Sequence, residues 1–376
     1  MIRLAPLVLL LAACTVSPPA PEADPAAPYR LVAYVYGGSP EAIARIGAER
    51  LTHVNYAFAN LTPEGDVVLE EERDAANLAA LVALRDRNPD LQVLLAVGGW
   101  GWSDHFSDVA FTEAGRARFA ETALALVRTH RLDGVDVDWE YPGQPGAGNP
   151  HRPEDRETFT LLLAETRAAL DAASEADGRL DDPYQLTIAA AAGQRFLDHT
   201  DMAAVQRSLD FVNLMTYDFY GSWSERTGHH AALHASAPGE PSASGAVELI
   251  LAAGVPAEKV VLGAAFYGYR WEGVTPEAGG LGQTFTGDAD ALGHGELVAL
   301  DDAFERRWDP EAGASWLWNA DTRTFISYED TASVRRKAEY VAARGLGGLM
   351  WWQHLHDPDE ALLDVAAGVL RSPPRP

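Results

Sequence analysis

The sequence predicts an α/β protein, a (β/α)8 TIM barrel with a small α+β insertion between its seventh and eighth strands. Three observations lead there. From Arg30 onward, short runs rich in Val, Ile and Leu alternate with amphipathic segments, as parallel strands joined by crossover helices do. The apolar runs number eight, the strand count of a closed barrel. No Gly-rich phosphate turn follows the first run, where the chain reads YGGSPEA, which weakens the competing open, doubly wound sheet.

The eight expected strands are 31–36, 52–58, 92–97, 134–140, 185–191, 210–216, 260–265 and 347–352. Segments of helical period, 113–129, 154–173 and 333–343 among them, supply outer helices. The gap before the last strand, about 80 residues, is far longer than one crossover helix needs. Its Gly-rich, strand-like stretch 273–324 reads as the α+β insertion, and no repeat of the solenoid type is visible.

With 376 residues, 47% of them hydrophobic, the chain suits one large domain, here 29–372. Residues 1–13, MIRLAPLVLLLAA, pair an early Arg with an apolar run too short to span a bilayer, as in a secretory signal. The run ends in Leu11-Ala12-Ala13-Cys14, which resembles the bacterial lipoprotein cleavage box, in which the cysteine is lipidated and becomes the mature N-terminus. An ordinary signal peptide cut nearby, leaving a soluble secreted protein, is the competing reading. Residues 14–28, rich in Pro and Ala, read as a tether. The expected location is the cell envelope or beyond it: outer membrane, periplasm or cell surface, with membrane contact only through the lipid. Cys14 is the sole cysteine, so no intramolecular disulfide and no cysteine-cluster metal site can form.

A formal charge of −26 repels phosphate backbones and anionic membranes, so nucleic acid is excluded as a partner. A neutral polymer carries no such penalty, although an acidic surface is also a plain route to solubility.

The fourth strand carries the chemistry. It reads Asp133-Gly134-Val135-Asp136-Val137-Asp138-Trp139-Glu140, and strand side chains alternate between faces. Asp136, Asp138 and Glu140 share one face, while Val135, Val137 and Trp139 take the apolar face under the helices. The acids therefore point into the barrel, towards its C-terminal rim, at Cα spacings of roughly 6 to 7 Å. They cannot all ionise cheaply at that spacing, so a proton is retained or shared at neutral pH. A solvated acidic edge and a carboxylate metal site are the weaker readings; for the latter no supporting His pattern is present.

The segment DGVDVDWEYP resembles the signature D-x-x-D-x-D-x-E of family-18 glycoside hydrolases, the chitinases and their relatives. Further stretches resemble the family in order: NYAFAN from Asn55, LLAVGGWGWSDHFSDVA from Leu94, MTYDFYGSW from Met215, FYGYRW from Phe266, FISYED from Phe325 and GGLMWW from Gly347. The resemblance implies cleavage of β-1,4 bonds between N-acetylglucosamine units, in chitin or chitooligosaccharides, by a monomer without metal or other cofactor. It implies a retaining mechanism in which the substrate's 2-acetamido oxygen is the nucleophile. Glu140 would be general acid and then base, and Asp138 would orient the acetamido group. Asp136 would share a proton with Asp138, Tyr217 would bond the acetamido oxygen, and Asp218 would bind sugar.

The resemblance also places Trp352 as the floor of the central subsite, which Tyr34 and Phe58 are expected to wall, and Trp102 and Trp223, on loops after the third and sixth strands at the reactive rim, are expected to contact sugar. Met215, Tyr141, Gly99 and Arg270 complete the expected binding set. Trp139, Trp308 and Trp351 are read as packing residues. Two departures stand out: Ala96 replaces the serine usual before the paired glycines, leaving open how Asp133 and Asp136 are hydrogen-bonded, and Arg270 is shifted one place by Tyr269. His229, His230 and His234 in TGHHAALH carry an i, i+4 pair, but no helix is indicated to hold it on a metal. A chitin-binding lectin is the alternative from another class; hydrolysis of peptidoglycan or a glycoprotein glycan is the alternative among enzymes.

Overall fold

A barrel strand covered by helices must be apolar on its outer face, and the chain meets that requirement in eight places. In the computed structural model, which describes residues 29–300 and 303–371, β1 (Arg30–Tyr36), β2 (His53–Leu61), β4 (Gln92–Gly98), β5 (Gly134–Asp138), β6 (Gln185–Ala191), β7 (Phe211–Met215), β8 (Val260–Ala265) and β14 (Gly348–Trp352) run parallel in that order around the sheet. Pairing of β1 with both β2 and β14 closes the barrel. The two-residue β3 (Val67–Val68) lies antiparallel to β2. The signal segment, Cys14, the whole tether and the chain beyond 371 lie outside the described residues.

Two cores result from the alternation. Outward residues such as Val135, Val137 and Trp139 join the large cluster between strands and helices, where Trp139 stacks on Phe106 with ring centroids 5.4 Å apart. Trp351 does the same on Phe266, at 5.0 Å. Inward residues Val32, Tyr34, Ala57, Ala96, Phe211, Val261 and Met350 form a smaller cluster that fills the barrel beneath the rim. Local signals set the outer helices: Thr112 Oγ1 caps Glu113–His130, and Asp330 caps Thr331–Arg344, which stops at Gly345 in the left-handed region with φ 63°.

The insertion leaves the barrel directly after β8. It forms a five-stranded antiparallel sheet in the order β10 (Ala289–Gly293), β9 (Tyr267–Trp271), β13 (Thr324–Tyr328), β12 (Ala314–Asn319), β11 (Glu305–Asp309). Because β9 and β13 pair with each other, Trp271 opposite Phe325, the sheet runs from Tyr267 to Tyr328 and extends past both ends of 273–324. FYGYRW is thus the insertion's first strand. Trp271, Trp316, Trp318 and Phe325 give the sheet its own core on one face, while Leu297, Leu317 and Ile326 pack on the other.

Candidate active site

Strand β5 delivers the acids to the C-terminal rim. Asp136 is fully enclosed and Asp138 is 4% exposed, while Glu140 sits just past the strand end, partly buried. Asp136 accepts hydrogen bonds from Tyr34 Oη (2.7 Å), Thr187 Oγ1 and Asn213 Nδ2 (3.2 Å), and Asn213 also donates to Tyr34 Oη. Burial raises its pKa and the donors oppose that rise. The register explains the Ala96 departure: Asp136 lies between Ala96 on β4 and Thr187 on β6, so Thr187 brings a hydroxyl that Ala96 lacks.

Asp138 has no such relief. Its Oδ1 is buried without a hydrogen-bond partner, and burial, followed by the charges of Glu140 and Asp136, holds its pKa well above the ordinary carboxyl range. Ionisation of Asp138 is therefore strongly disfavoured while its neighbours carry charge. Glu140 is lifted to about 7, chiefly by burial and further by Asp218, against an opposing hydrogen bond with Tyr141. Its main chain is clamped: its N–H donates to Ser103 Oγ (2.9 Å) and its carbonyl accepts from Asn149 Nδ2 (2.7 Å). Gly98 underlies the same corner with φ 108°, where a Cβ would stand 2.3 Å from Asp138 O; only glycine fits. At Gly99 a Cβ would meet the Phe58 ring at 2.7 Å.

Asp133, the first acid of the motif, is not part of this stack. It precedes β5 at the opposite rim, where it accepts from Val93 N (2.7 Å) and pairs with Arg85 and Arg179.

Beyond β7, Tyr217 stands half-buried near Asp138, Asp218 and Glu140, and desolvation with those charges raises the pKa of its phenol well above the ordinary value. Its hydroxyl lies 4.0 Å from Met350 Sδ, and among the described residues no carboxylate takes it up. Asp218 follows in the left-handed region with φ 58° and accepts from Tyr267 Oη of the insertion. Trp352 stacks on Phe58 with centroids 5.5 Å apart and also meets Tyr34 and Tyr36. Met215 packs into the same inner cluster.

Arg270 alternates with Tyr267 and Tyr269 along β9, so it projects from the other face, and it bonds Asp290 through Nε (3.0 Å) and Nη2 (2.8 Å). Of the two loop tryptophans, Trp102 is partly buried, whereas Trp100, 56% exposed, stands edge-on to Tyr141. Trp223 is exposed and edge-on to Tyr269. The three histidines diverge: His229 bonds Asp309, His234 bonds Ser244, and His230 is buried between Tyr267 and Tyr269, 4.0 Å from Asp218.

Sequence reasoning missed Thr187, Asn213, Ser103, Asn149, Tyr36, Trp100 and Tyr267. For Thr187 and Asn213 a signal existed, since Asn213 is the lone polar residue of FVNLM and Thr187 interrupts the apolar stretch of QLTIAAA. Ser103 and Asn149 sit in loops with no comparable signal.

A carboxyl kept protonated near neutrality at a barrel mouth, beside stacked aromatic rings, is the equipment of a glycoside hydrolase. The profile of the family described as glycosyl hydrolases family 18 matches residues 30–357, and the chain belongs to that family. Chitinase A1 of Niallia circulans is 35% identical over 90% of this chain, which spans 58% of that protein's length. Chitinase B of Serratia marcescens is 30% identical, covering 81% of this chain and 73% of that one. Among solved structures, a family 18 N-acetylglucosaminidase from Paenibacillus barengoltzii is 42% identical with a TM-score of 0.82, covering 91% of this chain and 100% of that one.

Proposed function

We propose that the protein is a chitinase, hydrolysing β-1,4 bonds between N-acetylglucosamine units with retention of configuration. The observation that carries the reading is the geometry of the acid stack at the barrel mouth: Asp136 bonded by three donors, Asp138 buried with Oδ1 unpartnered, and Glu140 just past the strand end, its carboxyl raised to about 7 by burial. Glu140 protonates the glycosidic oxygen as the substrate's acetamido oxygen attacks the anomeric carbon. Asp138 accepts from the acetamido N–H once its own proton has passed towards Asp136, and its negative charge then stabilises the cationic intermediate. Tyr217, with a hydroxyl free to donate, orients the acetamido oxygen. Glu140, now ionised, takes the proton of the attacking water. Trp352, Tyr34, Tyr36 and Phe58 form the apolar wall against which a pyranose ring packs, with Asp218 bonding sugar hydroxyls.

The test is mass spectrometry of products from chitohexaose with the domain from Tyr29 onward and its Glu140→Gln variant. Shorter oligosaccharides from the wild type alone are expected; silence from both overturns the reading, and sugar binding without turnover would establish a lectin. The similarity to an N-acetylglucosaminidase over that protein's whole length supports a second reading, stepwise removal of single sugars, and the same experiment separates it by the monomer released. We further propose that Cys14 is lipidated and holds the enzyme at the cell envelope. Labelled fatty acid should enter the wild type and not Cys14→Ser; equal incorporation refutes the anchor.

A further inference from the structure

One pair of charges in the core belongs to none of these steps. Lys337, on the helix Thr331–Arg344, and Glu329, directly after β13, are 0% and 2% exposed, with Nζ and Oε1 2.5 Å apart. Such a pair contributes little net stability over apolar residues of the same volume, because desolvation consumes the Coulombic gain. What it supplies is fixed geometry, and its remaining bonds show where. Glu329 Oε2 accepts from the amide of Ala265 (2.8 Å), and Lys337 Nζ donates to the carbonyl of Gly263 (3.2 Å).

Both backbone groups belong to the rim end of β8, and there the sheet has opened. The register of β7 on β8 runs through Leu214 opposite Leu262 and goes no further. Past that point the two strands are joined by side chains: Thr216 Oγ1 donates to the same Gly263 carbonyl, at 2.7 Å. Tyr217 rests on this spot, since a Cβ at Gly263 would lie 3.0 Å from its Cε1 and 2.8 Å from Thr216 N. Ala265 is also the last barrel residue before the insertion, and Glu329 the first after β13. The ion pair thus ties the two chain crossings of the insertion to the shelf beneath Tyr217, and the insertion in turn supplies Tyr267 to Asp218.

We propose that Glu329 and Lys337 are positioning residues for hydrolysis, holding the β7–β8 seam so that the Tyr217 hydroxyl and the Asp218 carboxylate keep their place over the acid stack. The proposal rests on the reading that Tyr217 orients the acetamido group. Opposite charges in a low-dielectric surrounding grip the Gly263 carbonyl and Ala265 amide more firmly than neutral groups would. A displacement near 1 Å at such a site costs up to about 10²-fold in rate.

Lys337→Met alone strands a buried carboxylate and threatens folding, so the informative protein is the double variant Lys337→Met with Glu329→Gln, in which Gln still offers Ala265 N an acceptor. It should fold, with kcat on a chitooligosaccharide lowered at least about tenfold and KM within about twofold of wild type. Hydrogen exchange should quicken in 216–219 and 263–268 and stay unchanged in 134–140. A folded double variant with kcat within about twofold of wild type, or with unchanged exchange in those two segments, overturns the proposal. Should wild type leave chitooligosaccharides intact, the functional reading has failed by itself, and the exchange pattern alone decides the positioning claim.

Discussion

Replacing Glu140 by Gln should abolish hydrolysis at every pH and should stabilise the fold only above acid pH. The carboxyl is raised from 4.5 to about 7 in the native state. Between those values the native protein binds a proton that the unfolded chain does not, so stability falls as pH rises through the window. Each tenfold gain in proton affinity is worth about 1.4 kcal/mol, which puts the cost of an ionised Glu140 at up to about 3 kcal/mol at pH 8. Gln has nearly the same shape and no charge, and it also removes the Coulombic push of Glu140 on Asp138. Thermal unfolding of both proteins at pH 4 and pH 8 reads the difference directly. The melting temperature of Glu140→Gln should exceed wild type by several degrees at pH 8 and match it at pH 4. Equal increments at the two pH values, or a less stable variant at pH 8, would refute the reasoning that burial strains this acid.

The same acid sets the pH profile: one pH unit above a pKa of about 7 leaves about one molecule in eleven protonated, so kcat/KM should fall above neutrality, and Asp218→Asn should move that limb to lower pH by removing a charge that raises Glu140. An unmoved limb would contradict the role of Asp218. At the opposite rim, Arg179→Ala should cost about 1–3 kcal/mol in urea unfolding by loosening Asp133, with kcat unchanged; a large loss of kcat would place Asp133 in the catalytic machinery after all. Gly98→Ala should cost several-fold in kcat as well as stability, because its Cβ would collide with Asp138 O where the acid stack turns, and a variant as active as wild type would show that this corner gives way.

Much of the site was legible because a strand has only two faces. The order Asp136, Asp138, Glu140 against Val135, Val137, Trp139 puts the acids inside from periodicity alone, and the barrel strands carry their own apolar signature, which is why strands such as β6 and β8 start and stop where the sequence places them. The packing roles of Trp139 and Trp351 follow from the same alternation. Local pattern is silent about partners across the sheet. Thr187 and Asn213 reach Asp136 from 51 and 77 residues along the chain, Asp133 turns to arginines at the far rim, and Arg270 is held by Asp290; each outcome depends on which strands become neighbours.

The sequence by itself determined the eight strand runs of the barrel and the face bearing the acids, since each apolar run and the alternation in 133–140 are local patterns, while the chemistry of those acids came from the resemblance of DGVDVDWEYP to the family signature. Only the tertiary structure decided which carboxyl is left buried without a donor, which tryptophan of the GGWGW loop is exposed, and where the insertion begins. Those outcomes are set by burial, by donors brought from other strands and by strand pairing, and none of the three exists until the chain has closed on itself.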